Sequence, residues 1–582
     1  MMFASALGVF VAVGLIIIAF ISMLVGMASS FGNAPEYIPK PNTVYKLTLE
    51  GNLTDQKEEN PFGFLMGEKE KSLSLKDVLS TIRTAKENKD IKGIYLDAKF
   101  LGTGTASLEA IRRALLDFKE SGKFVVAYAD NYTQGCYYLC SVADKIFLNP
   151  QGMLGLTGMA SETMFYKGLL QKLGIEMIVF KVGTYKGAVE PFMLDKLSDA
   201  NREQIQSYID SVWGRIVNDI SAARNIPEAE IALFANNGDW FALPEKAVES
   251  GLVDELKYRP EAEEYVKELA GQTDKQLASV EIGKMKTIKH TQKKKEDRIA
   301  ILYAEGEIKP AATSPLYGTE PAITEKIANE LIKLKNNDQV KAVVLRVNSP
   351  GGSAFISEQI WRQVVELKKV KPIVVSMGNV AASGGYYISC AANKIVAEPT
   401  TLTGSIGIFG IFPNITGLLN KIAITTDVVK TNTYSDLGDI SRPMREDEKK
   451  LIQGYVERGY DTFVTRCAEG RGLSKDSINA IGQGRVWTGS QALERGLVDE
   501  LGGMETAVKT AAGLADLTDY SLLYVTSSKD YLKELLEKQF GGIKWSLVKD
   551  ILGEEYMYFE RLNEIKTATG IQARLPYDVK PL

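Results

Sequence analysis

Histidine is almost missing from this sequence: 582 residues contain one, His290, in the polar, lysine-rich stretch "KTIKHTQKKKEDR". A Ser-His-Asp hydrolase would need that connector-like segment to fold back into a cleft. Cysteine is nearly as scarce. Four residues in so long a chain exclude a disulfide framework. Cys136 and Cys140 fall four apart on a predicted helix and share a face, but without histidine nearby they are no zinc pair and read as small buried residues. An excess of positive charge is also lacking. With net charge −4 and pI near 5.6 there is no basic footprint, which excludes nucleic acid as a partner.

Residues 1–35 contain no charged side chain, and Leu7 to Met27, "LGVFVAVGLIIIAFISMLVGM", is as long as a bilayer-spanning helix must be. It exceeds the ~7–15-residue apolar region of a cleavable signal, so it reads as an uncleaved membrane anchor. Its flanks carry too little charge to orient it. The remaining composition, 45% apolar and 24% charged overall, is that of a globular protein too long for one core.

The chain is written twice. A shift of 249 residues lays "IKGIYLDAKFLGTGTASLEAIRRALLDFKESGKFVVAYADNYTQGCYYLC", from Ile91, on "VKAVVLRVNSPGGSAFISEQIWRQVVELKKVKPIVVSMGNVAASGGYYIS", from Val340. Further on, "SGLVDEL" at Ser250 answers "RGLVDEL" at Arg495. The expected organisation is an anchor over 1–35, a first repeat over 44–270, a linker over 271–297, a second repeat over 298–525 and a helical tail over 526–582. Short β-branched runs alternate with amphipathic stretches in each copy, which predicts an α/β fold of βαβ units on a mostly parallel sheet.

Differences between the copies point to chemistry. Ser383, in "VAASGGYYIS", answers to Gln134; the "SPGG" turn at Ser349 answers to "FLGT"; Ser405 answers to Leu156. In the other direction, Lys186 in "VGTYKGAVEPF" answers to Ser435. Each copy therefore holds part of one site. A serine hydroxyl needs a base, and with histidine confined to the connector the alternative is a neutral lysine amine. Freeing that amine near pH 7 requires disfavouring its ammonium form by roughly 4 kcal/mol, which burial against apolar walls supplies. The small and apolar residues after Lys186 suit such a place. Gly384 at a helix start and the Gly351-Gly352 turn offer backbone N–H groups for an oxyanion, and the Ser405 hydroxyl is available to hold the amine. "GTGTAS" at 102–107 has no Walker lysine and reads as a degenerate copy of the "PGGS" turn.

Taken together, "RVNSPGGSA", "VVSMGNVAASGGYYIS", "TLTGSIGIFG" and "KVGTYKGAVEPF", in a duplicated chain behind one anchor, closely resemble the long form of the bacterial signal peptide peptidase (protease IV, SppA) family. The resemblance implies two tandem Clp protease/crotonase-like domains and a serine protease with a Ser/Lys dyad. Ser383 would be its nucleophile, Lys186 its general base and Ser405 the support of the lysine. Gly384 and Gly352 would form the oxyanion hole. No metal or other cofactor is implied. It further implies a homotetramer in the bacterial inner membrane, single-pass through the lipid, with the catalytic body on the extracytoplasmic side, cutting remnant signal peptides and other apolar peptides. Two other readings stay open. A crotonase-like acyl-CoA enzyme would use the glycine turns but needs neither the Ser383/Lys186 pair nor an anchor, and a membrane-tethered scaffold would need no nucleophile.

Overall fold

The computed structural model describes residues 36–56, 72–288, 295–311 and 322–525, and the backbone of 570–574. The expected Leu7 to Met27 anchor and His290 lie outside these residues. Among the described residues, no helix is long and apolar enough to cross a membrane.

Each copy builds the same parallel sheet. In the first, the order from one edge is Ser279–Glu281, Thr43–Thr54, Ile91–Gly102, Phe124–Ala129, Lys145–Leu148 and Glu255–Leu256, every neighbouring pair parallel. The second repeats it with Ser521–Val525, Arg298–Glu305, Val340–Ser349, Ile373–Ala382, Lys394–Ala397 and Glu500–Leu501. The central strands are near-continuous apolar runs because helices cover both faces. Val343, Val344 and Leu345, consecutive in one strand, are all fully buried. Crossover helices Thr105–Lys119 and Ala354–Lys368 occupy matching places, as do the 26-residue helices Asp199–Arg224 and Glu446–Arg471.

Two segments differ from the sequence expectation. Residues 279–285, within the stretch read as a linker, form an edge strand of the first sheet and a helical turn, with Val280 and Met285 buried. These two apolar side chains among lysines give too weak a periodicity to reveal a strand. In the tail, read as helical, the described part is a strand, Gly570–Arg574, in a third sheet.

The copies interlock. Strand Glu176–Val182 of the first copy pairs antiparallel along its whole length with Ile408–Asn414 of the second. Ala382, Leu402 and Val486 of the second copy belong to the first copy's core, and Phe180 of the first to the second's. Buried polar links cross the same boundary: the Arg346 guanidinium donates to both carboxylate oxygens of Asp55 at 2.9 Å, and Thr400 donates through its amide and hydroxyl to Glu109.

Candidate active site

Ser383 follows strand Ile373–Ala382 and immediately precedes the short helix Gly384–Ser389. Its backbone has φ 55° and ψ −115°, a strained conformation for a residue with a side chain. The strain is held from both sides: the Ser383 amide donates to the Gly404 carbonyl, and its carbonyl accepts from Tyr387 N. The two glycines that follow are sterically required. A Cβ on Gly385 would sit 2.8 Å from the Ser349 carbonyl oxygen, and one on Gly384 would sit 3.2 Å from Gly351 Cα. The "ASGG" and "PGG" turns are thus packed backbone to backbone. At Gly352, with φ +145°, a Cβ would fall 2.1 Å from the Ile308 carbonyl oxygen, so the turn admits no side chain there. As the first residue of its helix, Gly384 has an amide with no intrahelical acceptor.

Lys186 comes from the other copy. It follows strand Glu176–Val182, carried across the boundary by the pairing with Ile408–Asn414. Its turn is pinned on both sides: Tyr185 N donates to Gln483 O at 2.9 Å, and the Gln204 side chain donates to Tyr185 O while accepting from Val486 N. The Lys186 side chain is fully buried. Its Nζ lies 2.9 Å from Ser383 Oγ, 3.0 Å from Ser405 Oγ and 3.2 Å from the Ser405 carbonyl oxygen. Glycines shape the channel around the stem, since a Cβ on Gly484 would meet Lys186 Cβ at 2.7 Å and one on Gly407 would meet its Cδ at 3.2 Å. The Phe409 ring lies 5.9 Å from Nζ. Burial penalises the ammonium form and pushes the lysine well below its ordinary value. Left-handed backbone gathers here: Ser383, Ser405 and Gln483, which contact Lys186 or its turn, all have φ between 51° and 55°.

Ser383, Lys186 and Ser405 are therefore brought together, with Gly384 beside the glycine turn that contains Gly352. Among the described residues, the first copy forms no counterpart. The side-chain oxygen of Gln134, at the position matching Ser383, accepts from the amides of Thr157 and Gly158, and Leu156 is buried where the second copy has Ser405. Ser435, matching Lys186, lies in an exposed stretch. All four cysteines are buried free thiols. Among the described residues, no group of His, Cys, Asp or Glu is arranged to hold a metal ion. Sequence reasoning missed Gln204, Gln483 and Gly484, which hold the lysine turn from a distant helix and loop. Gly484, in "GQGRVW", was the available signal.

The family model for Peptidase family S49 matches residues 117–273 and 365–518, one region in each copy. The chain belongs to peptidase family S49. It is a serine protease of that family in the long form with two S49 regions, and its fold is the α/β Clp protease/crotonase-like one, with the Clp protease model matching residues 316–401. Curated relatives span most of the S49 chain. It is 36% identical to Protease 4 of Salmonella typhi over 88% of its length and 82% of the relative's. Identity is 34% to Protease 4 of Haemophilus influenzae, over 92% of this chain and 90% of the other. It is 31% to the chloroplastic serine protease SPPA of Arabidopsis thaliana, over 92% and 78%.

Proposed function

We propose that Ser383 is the nucleophile and Lys186 the general base of a peptide-bond hydrolase. One observation carries the assignment: the fully buried Lys186 amine lies 2.9 Å from Ser383 Oγ, and burial holds it well below its ordinary value. A neutral amine has two N–H donors and one lone pair. The two Ser405 oxygens suit the donors, which leaves the lone pair for the Ser383 O–H. Ser383 attacks the carbonyl while Lys186 takes its proton, and the ammonium then protonates the leaving amine. Water, deprotonated by the same lysine, releases the acyl group. Gly384 N–H and Gly352 N–H receive the oxyanion, a geometry favoured by their glycine turns packing against each other.

The test is hydrolysis of a fluorogenic apolar peptide, together with fluorophosphonate labelling, for wild type, Ser383→Ala, Lys186→Ala and His290→Ala. Loss of activity in the first two variants and retention in the third is expected. An active Lys186→Ala with an inactive His290→Ala would overturn the dyad.

The substrates we infer are remnant signal peptides and other apolar peptides, met at the bacterial inner membrane by a single-pass enzyme whose body lies on the extracytoplasmic side. The resemblance of the site motifs and the uncharged Leu7 to Met27 run support this. We also infer a homo-oligomer, a tetramer by the same resemblance. The second copy's residues 421–435, which match the region of strand Glu176–Val182, are exposed, with Val429 at 99%. The first copy's 157–169, matching the region of Ile408–Asn414, has no buried residue and exposes Met164 and Leu169. Pairing one with the other between chains would repeat the intrachain contact head to tail. Light scattering of Val429→Asp against wild type tests this, with a smaller assembly expected.

A further inference from the structure

Two backbone segments hold Lys186 and Ser405: the Tyr185 turn that carries the lysine, and strand Val486–Thr488, which pairs with Leu402–Gly404 just ahead of Ser405. Gln204 joins them, donating to Tyr185 O at 2.8 Å and accepting from Val486 N at 3.1 Å. A glutamine amide can sit either way round, and reversed it would set oxygen against oxygen and N–H against N–H. What selects the working orientation lies deeper in the first copy. Gln204 Nε2 also donates to Asn201 Oδ1 at 2.6 Å, and Asn201 Nδ2 donates to a Glu190 carboxylate oxygen at 3.1 Å. Glu190, Asn201 and Gln204 are all buried. A carboxylate only accepts, so Asn201 must turn its nitrogen to Glu190 and its oxygen to Gln204, which must then turn its own nitrogen to Tyr185 O. The Ser198 amide and hydroxyl donate to the same carboxylate and keep it in place. Gly187, next to Lys186, packs so closely on the Asn201 amide that it admits no Cβ. The second copy, with Ser435 in place of Lys186, is built differently. Laid on Asp199–Arg224 from its first residue, helix Glu446–Arg471 puts Glu448 where Asn201 stands and Leu451 where Gln204 stands, and Glu448 accepts from Arg442 instead.

We propose that Glu190 is a positioning residue for the reaction: its carboxylate polarises a one-way chain of amides, Asn201 and then Gln204, that locks the Lys186 turn to the Val486 strand. This rests on the assignment of Lys186 as base. Burying a carboxylate is costly where an apolar residue is not. What the carboxylate supplies, and an apolar residue cannot, is a direction for every hydrogen bond in the chain, so the turn has one arrangement instead of two.

The experiment measures steady-state hydrolysis of a fluorogenic apolar peptide across pH by the full chain carrying Glu190→Leu, Glu190→Gln or Lys186→Ala. Glu190→Leu should lower kcat by about tenfold to a hundredfold, as for a slightly misplaced reacting group, with KM held within about twofold. The pH at which its activity is half-maximal should move upward, because a loosened turn readmits water to the amine and relieves the burial that depresses it. Glu190→Gln should keep kcat within about threefold of wild type, since a glutamine can donate to Ser198 Oγ while its oxygen still accepts from Asn201. Wild-type kcat or an unmoved midpoint in Glu190→Leu, or a Glu190→Gln as poor as Glu190→Leu, overturns the proposal. If circular dichroism shows Glu190→Leu unfolded, Gln204→Met gives the same two readouts, and wild-type kcat or an unmoved midpoint in it overturns the proposal equally. Activity surviving in Lys186→Ala would instead overturn the base assignment, so the two failures are distinguishable.

Discussion

Ser383 and Lys186 are separated by 197 residues of chain and by 2.9 Å between Oγ and Nζ. The pairing of Glu176–Val182 with Ile408–Asn414 closes that separation, so the lysine amine of one copy is delivered by the backbone to the serine hydroxyl of the other.

Because burial depresses Lys186, activity should rise with pH through a midpoint well below 10.5 and then level off. Lys186→Met should lose about 10²–10⁴-fold in kcat. The same variant should melt at a higher temperature than wild type near neutral pH. The sign follows from linkage: between the depressed native value and 10.5 the unfolded chain binds the proton that the native lysine refuses, so wild-type stability increases with pH there. The melting difference should shrink as pH approaches 10.5, which calorimetry across pH would measure.

Ser405→Ala removes one of the two Ser405 oxygens near the amine and keeps the carbonyl. A hydrogen bond of about 1 kcal/mol corresponds to a loss of roughly fivefold to tenfold in kcat/KM. Serine-directed labelling should be slowed to a similar extent but not abolished.

Asp55→Ala strands the Arg346 guanidinium in the boundary between the copies. Breaking one partner of a buried pair costs about 3–5 kcal/mol. Urea denaturation should show the midpoint falling accordingly. Arg346 lies three residues before the "SPGG" turn, so activity should fall as well.

Glu109 is buried at the same boundary, near Glu398 and facing Arg215 and the Thr400 amide and hydroxyl. Burial first, and then the Glu398 charge, raise it to about 7. Between 4.5 and about 7 the native state holds a proton that the unfolded state has released, so this group weakens the fold as pH rises. Glu109→Gln should therefore melt higher than wild type at pH 8 and alike at pH 5. A stabilisation equal at both pH values would count against this titration.

Much of this was legible in the sequence because duplication supplies its own comparison. Gln134 against Ser383, and Leu156 against Ser405, marked the copy that carries the candidate serines without any other protein, and the apolar runs from Ile91 and Val340 marked the sheets. What could not be read was contact across the boundary. Nothing near Asp55 announces Arg346, and Gln204 looks like any polar residue of a long helix until Tyr185 and Val486 are seen on either side of it. Residues 570–574 were hidden for another reason: a strand of five residues inserted between two others is specified by the edges it meets.

The antiparallel bridge between the copies also decides how the enzyme responds to dilution. Had the proposed nucleophile and base resided on separate molecules, their meeting would depend on protein concentration. Joined in one polypeptide, the Lys186 amine and the Ser383 hydroxyl face each other at a fixed effective concentration that dilution does not change. Specific activity toward a small peptide should accordingly stay constant as the enzyme is diluted.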